Sequence, residues 1–235
     1  KGVSLGSGNG AAERDAINLG ICREILGLDL SPGAIEVARE QAAQQGLAGA
    51  IRYDVADLDN PDLPDNTFGV VIAGQSVHHV NNLEGLAEAL HKSMTRDGIL
   101  ILNEYVGPSR YQWTDKTDKL MNELLHLLPA DKRIMQNGQV KEAVVRPTPQ
   151  QVIDVDPTES VRSGEIMPIF QQYFDIDYRA DFGGTLLQFM LSEIIANFRE
   201  NDPMDRALID TLVYFEDTLI REGVIESDFV FAILK

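Results

Sequence analysis

The sequence predicts an α/β fold with a mostly parallel sheet, and three observations lead to it. Short apolar runs alternate with helical patterns through the first hundred residues, as strand–helix–strand crossovers require. The run Phe68 to Ala73 is apolar apart from Gly69, which suits a strand covered on both faces. A first strand, Val3 to Leu5, runs straight into the turn Gly6-Ser7-Gly8-Asn9-Gly10 and then a helix pattern.

The elements follow in order. After Val3 to Leu5 comes a helix over Ala11 to Leu19 and a second strand over Ile25 to Leu28. Ser31 caps the next helix, with Pro32 at its first position and Gly46 just past its end. A short third strand lies near Ile51 to Tyr53, and Phe68 to Ala73 is the fourth. Leu83 to Met94 reads as a helix closed by the turn Arg96-Asp97-Gly98, with Ile99 to Asn103 as strand five. Leu120, Leu124, Leu127 and Leu128 then share one helical face, which Pro129 stops. Residues 130–163, with Pro147, Pro149 and Pro157 and weak periodicity, read as an irregular, partly helical segment. Ile166 to Tyr173 reads as a helix and Phe174 to Tyr178 as strand six. Leu187, Met190, Leu191, Ile194 and Phe198 mark one amphipathic helix. Leu208, Leu212, Phe215 and Leu219 mark another, opened by Asp202-Pro203, and Phe229 to Leu234 closes the chain as strand seven.

At 235 residues the chain is long enough for one substantial core. Residues 1–107 read as a cofactor-binding core and 108–173 as a cap over the active site. Residues 174–235 read as two strands with an inserted helix pair that complete the same domain. Because the first strand begins almost at residue 1, further residues are expected upstream. The single cysteine, Cys22, rules out an intrachain disulfide and a cysteine metal cluster and fits a reducing cytoplasm. No stretch approaches the roughly 20 apolar residues that cross a bilayer, and no signal-peptide pattern opens the chain. A net charge of −17 repels phosphate backbones and anionic membranes, so neither nucleic acid nor membrane is an expected partner.

The glycine turn lets the backbone bend sharply and lets a ligand approach the N–H donors of a helix start. By itself it satisfies both G-x-G-x-G and the G-x-G-x-x-A of a dinucleotide site. Asp29, at the end of strand two, is placed to accept from two ribose hydroxyls, which adenosylmethionine and NAD sites share. Asp57-Leu58 discriminates better: a carboxylate accepting from an adenine amine, beside an aliphatic side chain that packs on the ring.

The turn LGSGNG, the acid in LDLSP, the ADL after strand three, LPDNTFGVVIAGQSVHHV and the RDGILIL turn together resemble the class I S-adenosylmethionine-dependent methyltransferase family, in its small-molecule branch. The resemblance runs from Lys1 to about Gly107, and Phe229 to Leu234 fits the family's last strand. It implies a Rossmann-like three-layer sandwich with seven strands, the last antiparallel, and S-adenosyl-L-methionine as cofactor. Gly6, Ser7, Gly8 and Gly10 would then border the methionine part, Asp29 and Leu30 the ribose, and Asp57 and Leu58 the adenine. Gly74 and Gln75 would lie beneath the sulfonium. Gly69 departs from the acidic residue the family often has there, at a structural contact away from the cofactor.

Methyl transfer from a sulfonium needs alignment and, for a hydroxyl, a base. His79 and, second, His78 stand at the end of strand four and could serve as base, the imidazole being the side chain suited to proton transfer in neutral solution. Glu104, ending strand five, is a further base or anchor. Adjacent histidines point apart on most backbones and have no third ligand nearby in sequence, so no metal is expected. Tyr105 and Trp113 could stack on an acceptor, while Arg110 and Arg162 could meet an acidic group on it. The expected function is methylation of an O or N nucleophile on a small polar metabolite, a sugar or natural-product intermediate. A non-catalytic S-adenosylmethionine-binding module and an NAD-linked oxidoreductase are the alternatives. The apolar helix pair over 185–222 is a candidate homodimer face.

Overall fold

A computed structural model describes all residues from Lys1 to Lys235. Its strands are β1 (Gly2–Leu5), β2 (Ile25–Asp29), β3 (Ile51–Val55), β4 (Phe68–Gly74), β5 (Met94–Tyr105), β6 (Ile176–Asp181) and β7 (Phe229–Leu234). They form one sheet in the order β3-β2-β1-β4-β5-β7-β6. Strands β3, β2, β1, β4 and β5 are parallel, with Leu5 beside both Leu28 and Ala73. The Asp175 and Lys235 backbones exchange both N–H···O bonds, at 2.8 and 2.9 Å, so β7 runs antiparallel to β6. This is the Rossmann-like mixed sheet expected from the sequence, with helices flanking it.

The helices are α1 (Ala11–Asn18), α2 (Pro32–Gln44), α3 (Leu83–Ser93), α4 (Asp115–Leu127), α5 (Pro149–Val155), α6 (Ile166–Phe170), α7 (Leu187–Leu191) and α8 (Pro203–Arg221). Local chemistry sets their starts. The Ser31 hydroxyl accepts from Ala34 N at the head of α2, and Asp202 accepts from Met204 N and Asp205 N at the head of α8. Thr148 and Gln151 make a reciprocal capping box on α5.

Several boundaries differ from expectation. Strand five begins at Met94, and the expected turn at Arg96-Asp97-Gly98 lies within it as a register shift against β4. Strand six begins later, because Phe174 N still bonds to Phe170 O and closes the turn after α6. The helix expected through Phe198 stops at Leu191: Glu193 adopts φ 68, a left-handed conformation that an α-helix cannot continue through, and a separate 3₁₀ turn follows over Ile195–Asn197.

The chain divides into two compact units. The first, residues 1–106, 158–180 and 231–235, carries the sheet, with Ile25, Ile35, Ala38, Ile51 and Tyr53 in one of its packed clusters. The second, residues 107–157 and 181–230, has its own core, in which Trp113, Met121, Leu125, Leu186, Met190 and Ile194 are buried. No helix is long and apolar enough to cross a membrane.

Candidate active site

In the first unit, the parallel strands end on a common edge, and the turn after β1 lies in their midst. Gly6 takes φ 66, and a β-carbon there would strike the Ser76 side chain, so both conformation and space demand glycine. Nothing stands within 4 Å of where a β-carbon would be on Gly8 or on Gly74, which leaves open space above the turn and at the end of β4. Ser7 Oγ is buried and has no hydrogen-bond partner in the protein. An open cradle with an orphaned hydroxyl in its turn fits a ligand with a polar head.

Asp29 is bound into this turn. Its Oδ2 accepts from Gly8 N and its Oδ1 from Ser31 N, both at 2.8 Å, so one carboxylate joins the glycine loop to the start of α2. Each oxygen keeps a second lone-pair direction, enough to receive a hydroxyl. Leu30 is exposed beside it. Asp57 Oδ1 accepts from Asp59 N at 2.9 Å and shapes its own loop, with Leu58 half-buried. The neighbouring Asp59 has a larger part. Its Oδ1 accepts from Asn81 N and Asn82 N at 2.8 Å, pinning the loop after β3 to the one after β4.

Glu13 lies fully buried at the start of α1, near the Ser4 side chain, and neither carboxylate oxygen completes a hydrogen bond. Burial pushes its carboxyl up. The same burial, with Glu13 nearby, raises the Tyr53 phenol to about 12.

Strand β4 ends in a backbone knot. Gln75 has φ 55, and its side chain donates to Asn103 O at 3.1 Å. Ser76 Oγ donates to Leu5 O at 2.8 Å. A 3₁₀ turn over Val77–His79 follows. Glu104, entirely buried, holds that turn from β5. Its Oε1 accepts from Ser76 N at 2.6 Å and Val77 N at 2.7 Å, and its Oε2 meets His78 Nδ1 at 2.8 Å. With Glu104 accepting throughout, the network places the proton on Nδ1 and turns Nε2 toward Glu159. Tyr105, also buried, stands edge-on to His78 with ring centroids 6.4 Å apart.

The loop before α6 docks on these histidines. Thr158 Oγ1 lies 3.0 Å from His79 Nδ1, Val161 N donates to His78 O at 3.2 Å, and Glu159 Oε1 is 3.7 Å from His78 Nε2.

Other residues expected at the acceptor are committed elsewhere. All five N–H donors of Arg162 meet protein acceptors: two oxygens each from Glu84 and Glu165, and Asn81 O. That clamp holds the Glu84 carboxyl down at about 2. In the second unit, Trp113 is only 3% exposed and donates its indole N–H to Asp118 at 3.0 Å, so it is a core plug, not an open stacking face. Arg110 donates to Pro157 O at 2.8 Å. A cavity of about 290 Å³, lined in part by Lys1, Glu24, Arg52 and Phe68, lies at the amino ends of the strands and holds none of the expected site residues.

Residues 3–102 match the family described as "Methyltransferase domain", which spans the glycine turn, Asp29, Asp57 and both histidines. The matched residues, a little under half of the chain, are thus similar to the methyltransferase-domain family. Phosphoethanolamine N-methyltransferase 3 of Arabidopsis thaliana is 29% identical over 82 residues, 35% of this chain and 16% of that protein. The ubiquinone/menaquinone biosynthesis C-methyltransferase UbiE of Azotobacter vinelandii is 27% identical over 86 residues, 37% of this chain and 34% of that protein. The chain therefore spans about a sixth to a third of the length of these relatives. Over the whole chain the fold is similar to an S-adenosylmethionine-dependent methyltransferase from Mesorhizobium loti, with TM-score 0.59, 18% identity and 90% of that chain covered. It is also similar to geranyl diphosphate C-methyltransferase from Streptomyces coelicolor A3(2), with TM-score 0.61, 14% identity and 71% covered. At such identities these two likenesses speak for the fold alone.

Proposed function

We propose that this protein transfers a methyl group from S-adenosylmethionine to an O or N nucleophile of a small polar metabolite, of the sugar or natural-product kind. The observation that carries this reading is Ser76. Its side chain fills the space that Gly6 leaves open and donates to Leu5 O, while its N–H is held by Glu104, the residue that also holds His78. The cofactor turn and the histidine end of β4 are thus one hydrogen-bonded assembly.

The residues present fit the cofactor. Gly6, Ser7, Gly8 and Gly10 receive its amino-acid end, Asp29 and Leu30 its ribose, Asp57 and Leu58 its adenine, and Gly74 and Gln75 its sulfonium side. When bound, S-adenosylmethionine supplies an electrophilic methyl on a sulfonium, whose departure leaves a neutral thioether. The protein's part is alignment and proton removal. His78 offers Nε2 to the acceptor, with Glu104 as the positioning residue behind it and His79 alongside. A base so placed is useful where the nucleophile carries a proton, which is why O–H and N–H acceptors are favoured. Tyr105 fixes the His78 ring from its edge. The homodimer through 185–222 stays part of the proposal: α8 leaves Met204 and Tyr214 exposed.

Calorimetric titration with S-adenosylhomocysteine and, in parallel, NAD tests the reading. Saturable binding of the first and none of the second is expected. Binding of NAD alone would replace the assignment with an oxidoreductase.

A further inference from the structure

The end of β4 carries a feature that acid–base chemistry leaves unused. His78, His79 and Glu159 each offer one donor atom, and the three atoms lie within 4.8 Å of one another. On an extended strand neighbouring histidines would point apart. Here they sit on a 3₁₀ turn, and their rings lie 4.3 Å apart between centroids, tilted by 38°.

His78 sharpens the point. With Nδ1 committed to Glu104, the other ring nitrogen, Nε2, faces a carboxylate oxygen of Glu159 at 3.7 Å. Two ligands held about 2.1 Å from one ion at a tetrahedral angle lie roughly 3.4 Å apart, close to what is seen.

Each of the three residues also has a hydrogen-bond partner. Glu104 stands behind His78, Thr158 meets His79, and Ser160 Oγ donates at 2.8 Å to the Glu159 oxygen that faces His78. Ser160 is buried and holds φ 49, a left-handed conformation that the surrounding packing sustains. Outer hydrogen bonds of this sort orient metal ligands, and a carboxylate behind a ligating imidazole is the commonest of them.

We propose that His78, His79 and Glu159 bind a divalent transition-metal ion of the Zn²⁺ or Fe²⁺ class. Two imidazoles and one carboxylate favour such ions over Mg²⁺ or Ca²⁺, which take oxygen ligands. Three protein ligands leave positions open, so the ion offers a Lewis acid to an acceptor hydroxyl or amine. An Nε2 lone pair given to a cation is not available as a base, so in the metal-loaded protein the ion takes over the acidifying role assigned above to His78. That role rests on the methyl-transfer reading; the binding site does not.

The test is titration of the chelator-treated full chain with Co²⁺, read by visible absorption and calorimetry, with Zn²⁺ and Mg²⁺ as competitors. One ion per chain is expected, displaced by Zn²⁺ and not by Mg²⁺. His79→Ala and Glu159→Gln should each weaken Co²⁺ at least about tenfold, and Glu104→Gln about 10- to 100-fold. Circular dichroism and S-adenosylhomocysteine affinity should stay at wild-type values in His79→Ala and Glu159→Gln. Wild-type Co²⁺ affinity in those two variants, or equal competition by Mg²⁺, would overturn the site. So would ¹⁵N shifts showing both His78 nitrogens protonated near neutral pH with excess Zn²⁺ present. Co²⁺ binding through these residues with no S-adenosylhomocysteine binding would keep the metal site and remove the methyl-transfer reading.

Discussion

Glu104 holds the Nδ1 of His78 at 2.8 Å with one oxygen, while its other oxygen takes the backbone N–H groups of Ser76 and Val77. One buried carboxylate therefore fixes both the ring and the turn that carries it. In Glu104→Gln the amide oxygen can still receive the two N–H groups, but its NH₂ then faces Nδ1 and reverses the tautomer, putting the hydrogen on Nε2. The expected outcome is a folded protein whose S-adenosylhomocysteine affinity is nearly unchanged and whose methyl-transfer rate falls by roughly 10²- to 10⁴-fold, the range typical of general acid–base catalysis. Long-range ¹⁵N–¹H correlation of the His78 ring reads the tautomer directly. An unaltered tautomer with full turnover would defeat the argument. Glu104→Ala differs in kind, because it strands two buried N–H donors at about 1–3 kcal/mol each and should lower the melting temperature sharply.

The glycine turn separates strain from ligand contact. Gly6→Ala meets both a positive φ and the Ser76 side chain, so it should destabilise the fold as well as abolish cofactor binding. Gly8→Ala meets open space, leaving only the left-handed penalty of about 1–2 kcal/mol. It should therefore melt closer to wild type while losing cofactor affinity to the new methyl group. Thermal unfolding and calorimetry with S-adenosylhomocysteine, run on both variants, check this order. Equal loss of stability in the two would show that Ser76 yields easily.

The sequence made the five parallel strands and the glycine turn readable because their signals are local: an apolar run, a glycine cluster, Ser31-Pro32 at a helix start. What stayed hidden was long in range. Thr158 reaches His79 across 79 residues of chain, and no periodicity links DPTES to VHH. Trp113 and Arg162 are engaged within the protein, which the sequence does not reveal for the opposite reason. Their chemistry suits a ligand as well as a neighbour, and only the fold shows Asp118 under the indole and two glutamates around the guanidinium. The helix expected over 187–198 had a good apolar stripe, but a left-handed Glu193 cuts it short.

Arg162 ties Glu84, at the start of α3, to Glu165 next to α6, and its effect should be on stability in acid. The Arg162 guanidinium lowers the Glu84 carboxyl from 4.5 to about 2. A carboxyl held down in the folded state contributes stability above its ordinary range and loses it as pH falls toward the folded value. The stability gap between wild type and Arg162→Met should thus be steady at neutral pH and close as the solution is taken through 4.5 toward 2. Urea unfolding at a series of pH values measures it, and a gap that widens in acid would contradict the clamp.

Asp228, in the second unit, should govern stability at the other end of the pH range. Its carboxyl is buried, and burial together with the nearby Glu216 raises it from 3.8 to about 7, against the lowering effect of the Thr185 hydroxyl. The folded state binds this proton more tightly than the unfolded chain does. Stability from the group is therefore complete below 3.8 and drains away as pH rises through about 7. A difference of that size is on the order of 4 kcal/mol if the burial persists in the ionised form, and less if water reaches the site. Asp228→Asn keeps the shape and removes the titration. Wild type should lose stability steadily between 3.8 and about 7 and level off above that, while the variant stays nearly level throughout and becomes the more stable of the two above neutrality. Chemical denaturation followed by tryptophan fluorescence reports on this unit, because Trp113 lies in its core. A wild-type protein that grows more stable from pH 6 to 8, with Asn in place of Asp228 making no difference, would mean that the carboxylate is ionised and satisfied where it lies.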